Sequence, residues 1–330
     1  MELAIQRRAQ KAARLLTSQI SPGGLVLLYH RVIDPGETVD RNRSRLCVEP
    51  RRFSAQMEVL RQTATPLSAS EMIARIRNGE PVSGCVAVTF DDGYLDNLEI
   101  AAPILEDRQI PATFFVVSGS LGQSFWWDDL VNIVSEAPEI PMRLEQVAGK
   151  AVWHGGLDRP SPEARRRLLK KCLRLLRSLS GTARGSVLED LRDRCGVPPS
   201  SQRSSRSMGP DELQKLSRSE LFEIGAHSHS HPQMSSLSSE KQRHELASSK
   251  AELSAFVQDD IQLFAYPHGQ PGDFSRETMQ IAKSVGYEAA FSAQPGVLRP
   301  STHPYRLPRL WIGDCRADQF EKLVRRWLRR

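Results

Sequence analysis

Cysteine is sparse and unpatterned in this sequence, with five residues among 330, at positions 47, 85, 172, 195 and 315. They are odd in number, widely spread and form no Cys-x-x-Cys. Neither a disulfide framework nor a thiolate metal knot is encoded, and reduced thiols in a cytosolic protein are expected. Long apolar runs are missing too. Leu25-Val26-Leu27-Leu28 ends in Tyr29-His30, far short of the ~20 residues of a membrane span. The opening stretch, Met1 to Gln19, is basic and helix-like but lacks the apolar centre of roughly 7–15 residues that marks a secretory leader. Residues 1–24 thus read as a basic N-terminal helix ahead of one domain spanning 25–330, with a cytoplasmic location. Aromatic residues make up 6% of the chain, and no aromatic platform or recognition module accompanies its basic residues, which argues against nucleic-acid binding.

The net charge of +6 is concentrated rather than spread. Arg165, Arg166, Arg167, Lys170, Lys171, Arg174 and Arg177 interleave with Leu168, Leu169, Leu173, Leu175 and Leu176. That spacing predicts a helix with one leucine face and one basic face, capped by Ser161 with Pro162 as its first residue. A solvated face is the plain reading of the charge. An anionic membrane surface, on the inner face of the membrane, or a lipid-linked sugar is the sharper one.

From residue 25 onward, strand and helix signals alternate, as a parallel βα architecture requires. Strands are expected at 25–29, 86–90, 112–117, 222–226, 261–266, 287–292 and 308–312. Helices are expected from Pro50 (with Phe53, Met57 and Leu60 on one face), from the capping box Ser68-x-x-Glu71, over 96–108, from Pro210, from Ser239 (Ser-x-x-Gln) to Val257, and from Asp273 to Val285, stopped by Gly286. Residues 125–209 read as a charged helical insertion ending in a mobile Ser/Arg-rich loop, 198–209.

Two runs carry the chemistry: Thr89-Phe90-Asp91-Asp92-Gly93-Tyr94 and His227-Ser228-His229-Ser230-His231-Pro232. Each follows a strand signal, so two carboxylates and two imidazoles stand at carboxyl ends of strands, where a parallel barrel keeps its active site. The mixed N/O donor set suits a zinc-type hydrolytic centre. Three protein ligands leave a position open for water, which points to activation of water against a carbonyl.

Thr-Phe-Asp-Asp-Gly with the later His-Ser-x-x-His resembles the polysaccharide deacetylases, carbohydrate esterases sharing the chitooligosaccharide deacetylase homology domain. Weaker matches fall in order along the chain: Leu28-Tyr29-His30-Arg31-Val32, Pro111-Ala112-Thr113-Phe114-Phe115, Phe125-Trp126-Trp127-Asp128, Phe264-Ala265-Tyr266-Pro267 and Arg306-Leu307-Pro308-Arg309. The resemblance implies a distorted (β/α) barrel carrying the helical insertion. It also implies a divalent metal, with Zn²⁺ the expected ion, held by Asp92, His227 and His231, and Asp91 as general base. Ser228 takes the family's loop-pinning hydroxyl position. His229 has no family role and is expected to face away, and His154 and His244 read as surface residues.

Three departures from the family pattern bear on function. The usual terminal Leu-x-His, whose imidazole protonates the leaving amine, is missing. An extra strand ends in His30 instead, and a subgroup of the family resembles this arrangement. His30 is therefore expected to supply the acid, with a histidine capping a strand end as the plain alternative. The turn usually written Arg-Pro-Pro-Tyr-Gly reads Tyr266-Pro267-His268-Gly269, so Tyr266 and Pro267 are expected at the substrate and His268 to donate its backbone N–H to the oxyanion. The family's Arg, which orients the base, is Ala265 here; Arg309 or Arg306 is the candidate to replace it. Trp127, with Trp126, is expected to wall a sugar pocket. The expected activity is removal of an N-acetyl group from a saccharide in exopolysaccharide synthesis. An O-acetyl esterase, a deformylase and a catalytically weak saccharide-binding protein are the alternatives.

Overall fold

A computed structural model describes residues 23–34, 44–140, 157–177, 179, 181–198 and 206–329. The expected N-terminal helix and His154 lie outside these residues, apart from Gly23 and Gly24. The main sheet is built of β1 (Leu25–Tyr29), β2 (Thr65–Leu67), β3 (Cys85–Phe90), β4 (Ala112–Val116), β5 (Phe222–Ala226), β6 (Leu263–Ala265), β7 (Ala289–Phe291) and β8 (Leu310–Trp311). Its order is β7-β6-β5-β4-β3-β1-β8, with β2 alongside the first half of β3, and every pairing is parallel. Every residue of β1, β3 and β4 is buried, as in a parallel sheet covered on both faces.

The sheet curls until its edges meet. Phe291 at the end of β7 bridges Leu307, just before β8. The registers Leu27↔Leu310, Tyr29↔Phe90, Phe90↔Phe114 and Phe264↔Ala226 bring the carboxyl ends of β1, β3, β5 and β6 to one side. β1 stands directly beside β3, so His30 emerges next to Asp91. Beneath that side Tyr29, Phe90 and Phe114 stack in sequence at centroid distances of 5.5 and 5.0 Å. The Tyr29 hydroxyl is satisfied by Gln56 Oε1 at 3.0 Å. These rings are wholly buried at 0% exposure, and each contributes on the order of 1.5–3 kcal/mol through its apolar area. The rigid floor thus lies under the strand ends that carry the chemistry.

Helices follow the strands. The first, α1 (Pro50–Thr63), buries Phe53, Met57 and Leu60, and α2 (Ala69–Asn78) starts where Ser68 accepts from the Glu71 N–H. The segment expected as a helix over 96–108 opens with a π-turn at Asn97–Ala101, and the Asn97 amide donates to the His30 carbonyl at 2.8 Å. After α3 (Ala102–Asp107) come three insertion helices: α4 (Trp126–Glu136), α5 (Pro162–Leu176) and α6 (Gly181–Cys195). They pack on one another through Leu130, Ile133, Leu168, Leu169, Cys172, Leu188 and Leu191. Ser161 caps α5 by accepting from the Ala164 N–H.

Several expectations need correction. Part of the α5 basic face is structural, because Arg165 donates to the carbonyls of Val134 and Ala137 at the end of α4, and Arg177 pairs with Asp273. The described end of the Ser/Arg loop is pinned rather than mobile. Ser207 and Met208 are buried, and Arg206 grips Glu212 with two contacts of 2.6 Å ahead of α7 (Pro210–Ser217). The cap of α8 (Ser239–Val257) is Ser238, one residue earlier than expected, while Gln242 turns back to the Leu237 carbonyl at 2.9 Å. The helix expected from Asp273 starts three residues later as α9 (Arg276–Val285), capped by Ser275 and ended by Gly286 at φ +96°. The chain closes with α10 (Ala317–Leu328), whose Phe320 and Val324 are buried. Among the described residues no helix is long and apolar enough to cross a membrane.

Candidate active site

The two motif loops are backbone devices before they are ligands. Asp91 continues the ladder beyond β3, its N–H donating to the Tyr29 carbonyl at 3.0 Å. The chain then turns through two left-handed residues, Asp92 at φ 75° and Gly93 at φ 84°. A Cβ at Gly93 would sit 3.0 Å from Val116 Cγ1, so glycine is needed there for both angle and space. After β5, Ser228 and His231 are also left-handed, at φ 65° and 55°. The Ser228 hydroxyl accepts from the His231 N–H at 3.0 Å, the pinning expected of it. Three non-glycine side chains are thus held in sparsely populated conformations around one point, the pattern of strain stored at functional sites.

That point is surrounded by Asp92, His227 and His231, whose donor atoms lie within 4.8 Å of one another. Asp92 Oδ1 is 3.7 Å from His227 Nε2 and 3.5 Å from His231 Nε2. Ligands about 2.0–2.1 Å from a tetrahedral zinc stand about 3.3 Å apart, so this spacing fits a small divalent ion after a slight contraction. His227 Nδ1 lies 2.8 Å from the Ala265 carbonyl, which assigns the hydrogen to Nδ1 and turns the Nε2 lone pair inward. Burial, opposed by Asp91, lowers the His227 pKa, and burial with the neighbouring histidines lowers that of His231 well below the ordinary range. Both imidazoles are therefore neutral at pH 7, the form that ligates.

Asp91 stands 3.8 Å from His227 Nε2 through its Oδ2 and is held apart from the ligand set by Arg309. The guanidinium, 0% exposed, donates from Nη1 to Oδ1 at 2.6 Å and from Nη2 to Oδ2 at 2.8 Å. Its remaining donors reach the Ser292 carbonyl at 2.9 Å and Thr89 Oγ1 at 3.3 Å. Burial pushes the Asp91 pKa up, but the charge of Arg309, then His227 and the Arg309 hydrogen bonds, hold it below its ordinary value. Arg309 occupies the place left by Ala265; Arg306 is an exposed turn residue.

A cleft of about 590 Å³ opens above these groups, and His30, Asp91, Asp92, Trp127, His227, His231 and His268 all line it. His268 is left-handed at φ 62°, and nothing among the described residues accepts from its backbone N–H. Its ring meets His231 edge-on at 4.7 Å, and burial, with Arg177 and His227 nearby, lowers its pKa to about 3.

Two residues expected at the substrate are placed away from the cleft. The Tyr266 ring is buried, stacked on Phe274 at 4.0 Å with its hydroxyl bonded to the Tyr305 carbonyl, and Pro267 is buried beside it. Neither lines the cleft, because the turn presents His268 instead. Trp127 does line it, but at 4% exposure. Phe125 stacks on its indole at 4.6 Å, His231 lies at 4.5 Å, and Nε1 donates to the Tyr94 hydroxyl at 2.7 Å. It packs against His231 rather than offering an open face. His229 turns away to Glu252 at 2.9 Å, and His244 is exposed.

Trp311, Gln270 and Ala293 line the cleft without having been singled out in the sequence, and Lys170 and Arg174, read there only as part of a basic helix face, reach it from the insertion. Trp311 carried a readable signal, standing at the outward position of the alternating Leu310-Trp311-Ile312. No local signal places the insertion residues there.

The polysaccharide deacetylase family profile matches residues 78–290. The YxkH protein of Bacillus subtilis (strain 168) is 35% identical over 105 residues, covering 31% of this chain and 34% of that protein. The poly-beta-1,6-N-acetyl-D-glucosamine N-deacetylase of Staphylococcus aureus (strain MRSA252) is 26% identical over 124 residues, covering 35% of this chain and 41% of the relative. The matched stretches thus span well under half the length of these relatives. The solved structure of IcaB from Ammonifex degensii superposes with a TM-score of 0.60 at 19% identity, covering 94% of this chain and 98% of that one. The Streptococcus pyogenes deacetylase PplD in complex with acetate gives 0.59 at 18% identity, covering 91% and 97%. At these identities the superpositions speak for the fold.

Proposed function

Because the chain belongs to the polysaccharide deacetylase family, we propose that it hydrolyses the N-acetyl group of a saccharide using a divalent metal, zinc by its donor set, held by Asp92, His227 and His231. The observation that carries this reading is the Asp92–His227–His231 cluster standing beside a separate carboxylate that Arg309 keeps ionised and oriented. The N-deacetylase named among the relatives supports an N-acetylated polysaccharide as the substrate class.

When bound, such an ion polarises the acetyl carbonyl and brings the pKa of water towards ~7. Asp91 takes a proton from the attacking water, its plane fixed by the two Arg309 hydrogen bonds so that it neither swings onto the ligand set nor loses its charge. As the water oxygen bonds to the carbonyl carbon, the carbonyl oxygen gains charge and the His268 N–H donates to it; one such donor is worth ~3 kcal/mol. His30, beside Asp91 across the β1–β3 pairing, gives a proton to the nitrogen as the C–N bond breaks. Acetate and a free amine leave. Trp127 and the Ser228 hydroxyl keep His231 in position throughout.

A binding-only role rested on the missing family Arg and the missing terminal His; the Arg309 pairing with Asp91 and the place of His30 in the cleft wall both favour the hydrolase reading instead. The direct test is release of acetate from N-acetylated oligosaccharides by protein whose metal content is measured in parallel. About one divalent ion per chain together with acetate release is expected. A fully metal-loaded protein that frees acetate from no N-acetylated saccharide overturns the reading; release from O-acetyl but not N-acetyl substrates reassigns it as an esterase.

A further inference from the structure

The insertion helix α5 presents two different stripes. Leu168, Leu169, Cys172 and Leu176 are buried among the insertion helices. Lys170, Leu173, Arg174 and Arg177, at the i, i+3, i+4, i+7 spacing of one helix face, line the cleft over the catalytic groups. Arg177 is paired with Asp273. Lys170 and Arg174 are exposed at the cleft wall. Among the described residues, the carboxylates lining the same cleft are Asp91 and Asp92, the first gripped by Arg309 and the second within the metal trio. On the other side, the 43% exposed indole of Trp311 offers a flat apolar face suited to a sugar ring.

A cleft with two uncommitted cations is poorly matched to a neutral N-acetylglucosamine polymer, whose deacetylated product is an ammonium that those cations repel. It is well matched to a ligand that brings its own negative charge. We infer that the substrate is an N-acetylated saccharide carrying an anionic group, a carboxylate or a phosphate, near the scissile acetamide, recognised by Lys170 and Arg174 with Trp311 under the sugar ring. This rests on the hydrolase reading above and names the substrate class of that site. The cations favour binding of the anion, and the anion in turn offsets the charge of the ammonium formed in the same cleft.

The test compares three N-acetylglucosamine substrates on metal-loaded full-length protein. One is a neutral tetrasaccharide, one a tetrasaccharide alternating with glucuronate, and one a saccharide on a short isoprenyl diphosphate. Amine release is followed for each, and binding is measured by calorimetry in parallel. The expected result is a higher kcat/KM on one or both anionic substrates, the favoured arm identifying carboxylate or phosphate as the source. Exposed charge pairs are worth a few-fold each, so in Lys170→Glu/Arg174→Glu the ratio of anionic to neutral kcat/KM should fall ~10-fold or more, chiefly through KM, and the gap should narrow at about 0.5 M salt. A wild-type preference for the neutral substrate, or an unchanged ratio in the double variant, overturns the inference while leaving the hydrolase reading intact. Tight, Lys170- and Arg174-dependent binding of an anionic saccharide without turnover does the reverse.

Discussion

Replacing Arg309 with Met tests the electrostatic design at its centre. The substitution keeps an apolar chain of similar length and removes both hydrogen bonds to Asp91, at 2.6 and 2.8 Å, from a carboxylate that is 3% exposed. Two escapes are open to the protein, and they cost about the same. Keeping the carboxylate charged but unpaired in a buried place costs about 3–5 kcal/mol. Protonating it at pH 7, from an unfolded pKa of ~3.9, costs about 4 kcal/mol at 1.36 kcal/mol per unit. In the wild type the folded pKa is depressed, so the stability that Asp91 contributes is present above ~pH 4 and is lost as pH falls through the folded value. In the variant burial remains, opposed by His227 and His30; burial, the largest of these, prevails and the folded pKa lies above the unfolded one. The resulting penalty is absent below ~pH 4 and grows with pH until the folded pKa is passed. Denaturant titrations of chelator-treated wild type and Arg309→Met should therefore differ by about 1–2 kcal/mol at pH 5 and by about 3–5 kcal/mol at pH 8. The acid limb of the kcat profile should move up with the Asp91 pKa. A loss below ~1 kcal/mol at pH 8, or an equal loss at both pH values, refutes the reasoning.

Three further outcomes are expected. His227→Ala should leave the protein without stoichiometric metal, since the three donor atoms lie within 4.8 Å of one another and two of the three do not close the site; full occupancy by elemental analysis assigns the ion elsewhere. Asp91→Asn should keep its metal and lose turnover by at least ~10²-fold, the lower range for a general base; parallel loss of both makes Asp91 a ligand. His30→Ala should slow release of an amine far more than hydrolysis of an activated aryl acetate, whose leaving group needs no proton. Equal damage to both substrates makes His30 a strand-end residue only.

The Asp92–His227–His231 cluster was legible because strand, turn and candidate ligand are contiguous in the chain, so Thr89 to Gly93 and His227 to His231 each encode position and chemistry together. Helix starts were legible where a hydroxyl and a periodic apolar face coincide, as at Ser68 and Ser161. The neighbouring serines 238 and 239 are equivalent by pattern, and the bond from the Lys241 N–H selects the first. Arg309 was narrowed to one of two arginines. The choice needed the Leu27↔Leu310 register, which turns 309 inward and leaves 306 on an exposed turn. Tyr266 misled because a motif position is inherited while the side-chain direction is set by Phe274 and Tyr305. The cationic wall of the cleft belongs to tertiary packing, since α5 reaches the strand ends from an insertion and no local pattern reports where that helix docks.

The pairing of Asp91 with Arg309 joins residues 218 positions apart. On a ribosome, β3, both motif loops and all three proposed ligands are synthesised well before Arg309 emerges. β8 then docks on β1, a strand made near the start of the chain and already seated against β3. Until that docking, Asp91 lacks the guanidinium that does most to hold its pKa down. The nascent chain is therefore able to bring Asp92, His227 and His231 together before Arg309 is in place, and the pairing that orients Asp91 is a late step tied to completion of the fold.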